Sequence, residues 1–128
     1  MVQFDLPRLS KDTFMAMKEI DLLQGTLDLL ILKTLSNGAV HGYKIAATIR
    51  QLSAEVLRIE EGSLYPALYR LEQKGLIQSE WGQTENNRQA KFYKLTRKGR
   101  REMQHEAESW VRLSGAVARV LKAIEEGA

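Results

Sequence analysis

The sequence predicts a mostly α-helical domain with one small β-hairpin, that is, an α+β fold. Three observations lead to this prediction: helical spacing of apolar residues over most of the chain, a single interrupting stretch of strand-forming residues, and a heptad pattern near the end. At 128 residues, with 44% hydrophobic and 27% charged residues, the chain has enough apolar side chains for one buried core. We therefore expect a single folded domain that ends in a long helix.

Two helices are predicted in the first half of the chain, after a leader or arm at residues 1–21 that lacks clear periodicity. The first begins at Gln24 and stops at Asn37-Gly38, a pair that favours a helix end. The second is short and ends near Ser53. Their apolar stripes are predicted to be Leu27, Leu30, Ile31 and Leu35 in the first helix, and Tyr43, Ala46, Ile49 and Leu52 in the second.

A third helix is predicted from about Gly62 to Lys74. Pro66 lacks a backbone N–H and fits a helix only in its first turn, so the helix cannot begin much before Gly62. Gly75 is the typical residue after a helix end. The buried side of this helix is predicted to consist of Leu64, Leu68 and Leu71, which lie at positions i, i+4 and i+7.

A hairpin and a long last helix complete the chain. The strands are predicted at Leu76–Trp81 and Lys91–Leu95, with a long polar loop at Gly82–Ala90. Thr96 then offers an N-cap hydroxyl to a helix over residues 97–126, which spans about 40 Å. Three helices and a hairpin at residues 22–96 make the architecture of a winged helix-turn-helix, here followed by a C-terminal dimerisation helix.

The last helix carries a heptad seam, in which apolar residues follow one another in steps of four and three. An apolar stripe has to be buried, so the seam either folds back onto the first helices or packs against a partner. A second copy of the chain is the expected partner, which predicts a homodimer. The seam consists of Met103, Ala107, Trp110, Ser114, Val117, Leu121 and Ile124.

Positive charge is concentrated in one part of the chain. Residues 70–101 contain nine Lys or Arg against three Glu, whereas the whole chain has a formal charge of only +3. Such a segment suits a polyanion, although a solvated basic surface would have the same composition. The segment covers the hairpin, which is the wing of this fold, and the end of the third helix. We therefore expect the third helix to enter the major groove of DNA and the wing to follow the neighbouring backbone or minor groove.

Candidate DNA contacts lie on the outward side of the third helix and on the wing. Hydroxyls bond to bases or phosphates, and arginine can bind guanine or a phosphate with two hydrogen bonds. The tyrosines could equally stack on each other or cover the core, Pro66 could be only structural, and the cations of residues 97–101 could serve phosphate contact or solubility. The candidates are Ser63, Tyr65, Pro66, Tyr69 and Arg70 in the helix, and Arg88, Lys91 and Lys94 in the wing.

An enzyme is not expected, because the chain has no cysteine, only two histidines and none of the common catalytic motifs. Glu102 and His105 form one Glu-x-x-His, but di-metal bundles need two such motifs and further carboxylates, so neither a metal nor a cofactor is predicted. The lack of a signal peptide and of a long apolar run predicts a cytoplasmic protein without a membrane partner. The alternative to a DNA-binding regulator is a winged-helix module that binds protein or RNA.

Five blocks of the sequence resemble the PadR family of bacterial transcriptional regulators, in its smaller subgroup with a single C-terminal helix, and the resemblance covers about residues 22–124 in order. Each block is weak alone, but five in register are specific. The leader at residues 1–21 is longer than the family needs. The blocks are Leu22–Leu32, His41–Tyr43, Glu61–Leu68 with its Leu-Tyr-Pro, Leu71–Ile77 and Phe92–Gly99.

The resemblance implies a homodimer that binds a pseudo-palindromic operator in double-stranded DNA and usually represses transcription until a small ligand releases it. Tyr43, in the His-Gly-Tyr block, is a family feature that either packs or contacts a phosphate. Trp110 matches a tryptophan that stacks on planar aromatic effectors in multidrug-responsive relatives. The alternative for Trp110 is an interface anchor without any ligand.

Overall fold

A computed structural model describes residues 24–127, so the predicted leader at residues 1–21 lies outside the described residues. Within this range the chain forms four α-helices and one three-stranded antiparallel sheet, as the predicted fold class requires. None of these four helices is long and apolar enough to cross a membrane. In chain order the elements are α1 (Gln24–Thr34) with a 3₁₀ turn (Leu35–Asn37), β1 (Val40–His41), α2 (Gly42–Leu52), α3 (Glu61–Gln73), β2 (Ile77–Gln83), β3 (Gln89–Leu95) and α4 (Arg97–Glu125).

The buried core lies between α1, α2, α3, the sheet and the first turns of α4. The predicted stripe of α3 is confirmed, because its leucines are fully buried and Ala67 lies among them. Met103 belongs to the same core, so the N-terminal part of α4 is anchored in the domain. The largest fully buried side chains are Ile31, Leu32, Leu35, Ile45, Leu64, Leu68, Leu71 and Ile77.

The buried face of α2 differs from the predicted one. Gly42, Ile45 and Ile49 are buried, whereas Tyr43 is 75% exposed and Leu52 is exposed as well. Apolar residues occur on both sides of this short helix, so either side could face the core. Burying isoleucine gains hydrophobic free energy at no polar cost, whereas a buried tyrosine hydroxyl would need a partner. The packing interpretation of Tyr43 is therefore wrong.

The sheet has β3 at its centre, in the order β1-β3-β2. Pairing of β2 with β3 continues as far as Gln83 opposite Gln89, so the loop is residues 84–88 and shorter than predicted. The additional pairs are mostly polar and exposed, so backbone hydrogen bonds hold them and no apolar alternation marks them in the sequence. The strand β1 has two residues, too few for a pattern to indicate.

The start of α4 is held against the end of α3. The Thr96 hydroxyl accepts the Gly99 N–H at 2.9 Å and donates to the Gly75 carbonyl at 2.7 Å, which confirms the predicted N-cap. A Cβ on Gly99 would overlap the carbonyl oxygen of Leu76. Gly99 is therefore required for close packing of α4 on the beginning of β2.

Pro66 is the sixth residue of α3, so it lies in the second turn of the helix rather than in the first turn as predicted. A proline at this position cannot donate to the carbonyl of Gly62, four residues before it. Gly62 is exposed, so water can satisfy that carbonyl, which makes the proline tolerable here.

Candidate nucleic-acid interface

The first turns of α3 present a polar outer face opposite the buried leucines. Ser63, Tyr65, Pro66 and Tyr69 are all exposed, as predicted for residues that contact a ligand rather than the core. Within the described residues one pair of rings is in contact, His41 with Phe92, so the two tyrosines do not stack on each other. Their hydroxyls are free to meet a partner.

Arg70 turns toward α1 instead of toward the exposed face. Its Nη2 donates to Oδ1 of Asp28 at 3.1 Å, and both side chains are largely sheltered from solvent. Burial raises the pKa of Asp28, and the charge and hydrogen bond of Arg70 partly oppose this rise. The guanidinium therefore joins α3 to α1, and its predicted contact with DNA stays a prediction.

The wing turn and the start of α2 border one cleft of about 730 Å³. Tyr43 and Arg88, two separately predicted contacts, both line this cleft together with Lys44. His41 caps α2 by accepting the Lys44 N–H on Nδ1 at 3.4 Å, so the positive end of the α2 dipole lies at the cleft. Glu85 is an acidic group in its lining. Two cations, a phenol and a helix N-terminus are a combination that suits a phosphate.

The wing turn is stabilised by Thr84. Its hydroxyl accepts the Arg88 N–H at 3.3 Å and its own N–H donates to the Arg88 carbonyl at 2.8 Å, while Asn87 takes a left-handed conformation with φ 60°. The side chains of Arg88, Lys91 and Lys94 are exposed. Because side chains alternate along a strand, Lys91 and Lys94 project from opposite faces of the hairpin.

Two cations at the start of α4 have partners within the fold. Lys98 Nζ donates to the carbonyl of Lys74 at 2.9 Å, just after the end of α3. The two Nη atoms of Arg100 donate to the carbonyl of Ser36, each at 3.3 Å, in the turn that follows α1. A cation near a helix C-terminus interacts favourably with the dipole, so these residues stabilise the ends of other elements.

Beyond Glu108, α4 carries an exposed apolar face. This face continues the side on which Gly99 and Met103 are buried, because the predicted seam residues follow Met103 in steps of three and four. Within residues 24–127 only the beginning of the seam folds back onto the domain, since Met103 is buried in the core. Ala107 and Ser114 are half-buried, and the later apolar members are exposed. The exposed apolar residues are Trp110, Val111, Leu113, Val117, Val120, Leu121 and Ile124.

Two exposed residues of α2 and of the hairpin are absent from the predicted site. Lys44 lies at the cleft beside Tyr43, and its sequence signal, a cation next to a helix start, is common on any surface. Trp81 is exposed on β2, whereas a tryptophan in a strand pattern normally indicates a packing residue.

The fold and this surface define a winged-helix regulator of transcription, and comparison with known proteins gives the family. Residues 31–105 match the Transcriptional regulator PadR-like family. A transcriptional regulator from Clostridium thermocellum has a TM-score of 0.69 and 31% identity, over 79% of this chain and 95% of that one. A PadR-like transcriptional regulator from Bacillus cereus has a TM-score of 0.68 and 28% identity, over 79% of this chain and 96% of that one.

A longer protein also contains a similar segment. A 37.1 kDa protein in transposon TN4556 of Streptomyces fradiae is 45% identical over 89 residues, which are 70% of this chain. The match covers 24% of that protein, so this chain spans about a quarter of its length. The chain belongs to the PadR-like family, whose members are transcriptional regulators and not enzymes.

Proposed function

We propose that the chain is a homodimeric repressor that binds a pseudo-palindromic operator in duplex DNA. One observation carries the proposal: the outer face of α3 and the wing cleft form a continuous surface. Tyr65 of α3 lies against Gly42, and the next residue, Tyr43, lines the cleft with Arg88. A surface of this kind can contact base edges and a neighbouring phosphate at the same time.

In this arrangement α3 lies in the major groove. Its exposed residues Ser63, Tyr65, Pro66 and Tyr69 face the base edges, because they occupy the outer side of the first turns. The cleft of Tyr43, Lys44 and Arg88 holds a backbone phosphate, and the wing lysines Lys91 and Lys94 lie along the adjacent backbone. Arg70 orients α3 through Asp28, and any direct contact with DNA uses its remaining N–H groups.

The dimer forms through the apolar face of α4. This face extends the side that is buried within the domain, and a second copy covers it by the same packing. Two α3 helices then meet successive major grooves, which explains a pseudo-palindromic operator. A planar aromatic effector binds beside the half-exposed Trp110 between the two α4 helices and releases the DNA. Because its target is DNA, the regulator acts in the bacterial cytoplasm.

The test is fluorescence anisotropy with purified protein. A duplex selected by the protein from a random pool is compared with a scrambled duplex of the same composition, at low and at physiological salt. We expect roughly 10³-fold or greater preference for the selected duplex, with affinity that falls steeply as salt rises. Weak and equal binding to both duplexes would overturn the proposal and favour a module that binds protein or RNA.

The effector is tested separately through tryptophan emission. Planar aromatic compounds are titrated into the protein and into its complex with the selected duplex. In the variant Trp81→Phe, in which Trp110 is the one tryptophan, quenching of the emission together with release of the duplex supports an effector site, whereas an unchanged emission with intact DNA binding leaves a constitutive repressor.

A further inference from the structure

Trp81 of β2 is an exposed aromatic residue without a partner in the core. Its side chain is 65% exposed, although the strand begins with the fully buried Ile77. Trp81 pairs across the hairpin with Lys91, beyond the part of the sheet that covers the core. Exposing an indole forgoes the hydrophobic free energy that burial would provide, so its position calls for a partner outside the domain.

The face of the hairpin that carries Trp81 is the face that contacts α3. Side chains alternate along a strand, so Trp81 shares its face with Ser79 and with Tyr93, which pairs with Ser79. Ser79 Oγ donates to Oε2 of Glu72 in α3 at 2.6 Å. Glu72 follows the exposed Tyr69 by three residues on the same side of α3. Trp81 therefore lies on the side of the wing from which a ligand of α3 would approach.

We infer that Trp81 contacts the DNA directly and that its indole packs against the deoxyribose rings and base edges beside α3. The inference rests on the proposed function, since it takes the ligand of α3 to be a duplex. The choice of duplex DNA follows from the charges: Lys91 stands opposite Trp81, within a segment that holds nine cations and three carboxylates. A polyanion with apolar sugars offers both a phosphate to Lys91 and an apolar surface to the indole.

The salt dependence of DNA affinity distinguishes the contribution of Lys91 from that of the Trp81 indole. A lysine bound to a phosphate displaces a counterion, so its removal lowers the slope of log affinity against log salt by about one. An indole displaces no counterion. Trp81→Ala is thus expected to weaken binding by the same factor at every salt concentration, whereas Lys91→Ala weakens it mostly at low salt.

The experiment measures anisotropy with the duplex of about 30 bp, roughly three helical turns, that the wild-type protein selects from a random pool. We expect Trp81→Ala to lose about five- to tenfold in affinity with an unchanged salt slope, and Trp81→Phe to recover most of the loss. Leu52→Ala is the matched control, because it removes an 81% exposed apolar side chain at the end of α2 and is expected to have no effect.

A second readout keeps the tryptophan in place. The chain has two tryptophans, so Trp81 is the one tryptophan in the variant Trp110→Phe and is excited selectively at wavelengths that tyrosine does not absorb. Adding the selected duplex to this variant is expected to shift the emission and to protect it from iodide. Selective wild-type binding combined with unchanged affinity of Trp81→Ala, or selective binding by Trp110→Phe combined with unchanged emission of Trp81, would overturn this inference and leave the repressor standing. Failure of the wild-type protein to bind any duplex would overturn both.

Discussion

The ring of Tyr65 lies directly over Gly42, where α3 crosses the start of α2. A Cβ on Gly42 would be 3.0 Å from Cε1 of Tyr65 and 3.1 Å from its hydroxyl oxygen. Gly42 is itself buried, so the glycine allows the tyrosine to approach the α2 backbone closely. This contact links the His-Gly-Tyr and Leu-Tyr-Pro segments of the sequence in one structural unit.

Gly42→Ala is expected to displace Tyr65 without unfolding the domain. The new methyl group would lie closer to the Tyr65 ring than an ordinary van der Waals contact allows. The ring is half exposed, however, and can move by a few tenths of an ångström. If the hydroxyl loses a DNA contact worth about 1 kcal/mol, affinity falls about fivefold. Anisotropy with the selected duplex measures the change.

The control for this variant is Gly25→Ala in the first turn of α1, because an added Cβ there meets nothing within 4 Å. We expect Gly25→Ala to bind DNA as the wild type does. If Gly42→Ala also binds normally while its thermal stability is unchanged, Tyr65 does not contribute to the interface.

The local parts of the fold could be predicted from the sequence. The cap of α4 depends on Thr96 alone, and the buried side of α3 follows from leucine spacing, so both need no knowledge of distant residues. The buried side of α2 and the length of the hairpin could not be predicted. They depend on which elements pack or pair with them, and the exposed pairs near Gln83 carry no apolar pattern.

The candidate site was predictable to the extent that exposure follows helical period. This places Ser63, Tyr65 and Tyr69 outward. The helical period also places Arg70 outward, but its guanidinium forms a hydrogen bond with Asp28, which lies 42 residues earlier in the chain. No local signal reveals such a partner, and the same is true of the exposed Trp81.

Gly99→Ala is expected to prevent stable folding. The added methyl group would overlap backbone atoms of Leu76, and a shift of α4 away from β2 would break the hydrogen bonds of Thr96 to the Gly75 and Leu76 carbonyls. We expect a loss of more than about 3 kcal/mol, measured by urea unfolding followed by circular dichroism. A stability within about 0.5 kcal/mol of the wild type would show that α4 does not seat on β2 as described.

The same substitution at Gly115, in the exposed part of α4, is the matched control. Its nearest neighbour would be Nη1 of Arg119 at 3.7 Å, an ordinary contact. Because alanine favours the helix more than glycine does, Gly115→Ala should gain about 0.5–1 kcal/mol.

Arg70→Gln is expected to destabilise the domain and to make its stability depend more strongly on pH. Since burial raises the pKa of Asp28, the folded chain binds that proton more tightly than the unfolded chain does. Stability therefore falls as pH rises from the unfolded pKa through the folded pKa, and it is lowest above both. Removing the guanidinium raises the pKa of folded Asp28 further, so the difference between its folded and unfolded pKa becomes larger. We expect a loss of about 1–2 kcal/mol at neutral pH, part of which returns in acid.

Thermal unfolding between about pH 4 and pH 7 measures this effect. Asp28→Asn should remove the part of the pH dependence of stability that this carboxyl causes. Arg50→Gln is the matched control, because the Arg50 and Glu55 side chains of that ion pair are about half exposed and such pairs contribute little. Equal losses for Arg70→Gln and Arg50→Gln would contradict a structural role for the sheltered pair.

Replacing Trp110 and Leu121 together by glutamate is expected to dissociate the proposed dimer. Both residues lie on the exposed apolar face of α4, where two added carboxylates would face each other across the interface. The domain itself should stay folded, because α4 is anchored in the core through Met103, which precedes the exposed part of the helix. Sedimentation equilibrium should then give the monomer mass.

The control adds the same two charges to the face of α4 that is turned away from the seam, as His105→Glu with Ala123→Glu, and should remain a dimer. DNA affinity distinguishes the two variants as well. A dimer binds its second half-site intramolecularly, so the monomeric variant should lose about 100-fold or more, whereas the control should lose far less. A monomeric variant that binds the full selected duplex at wild-type strength would show that the two α3 helices act independently, and a double variant that stays dimeric would show that another surface holds the two copies together.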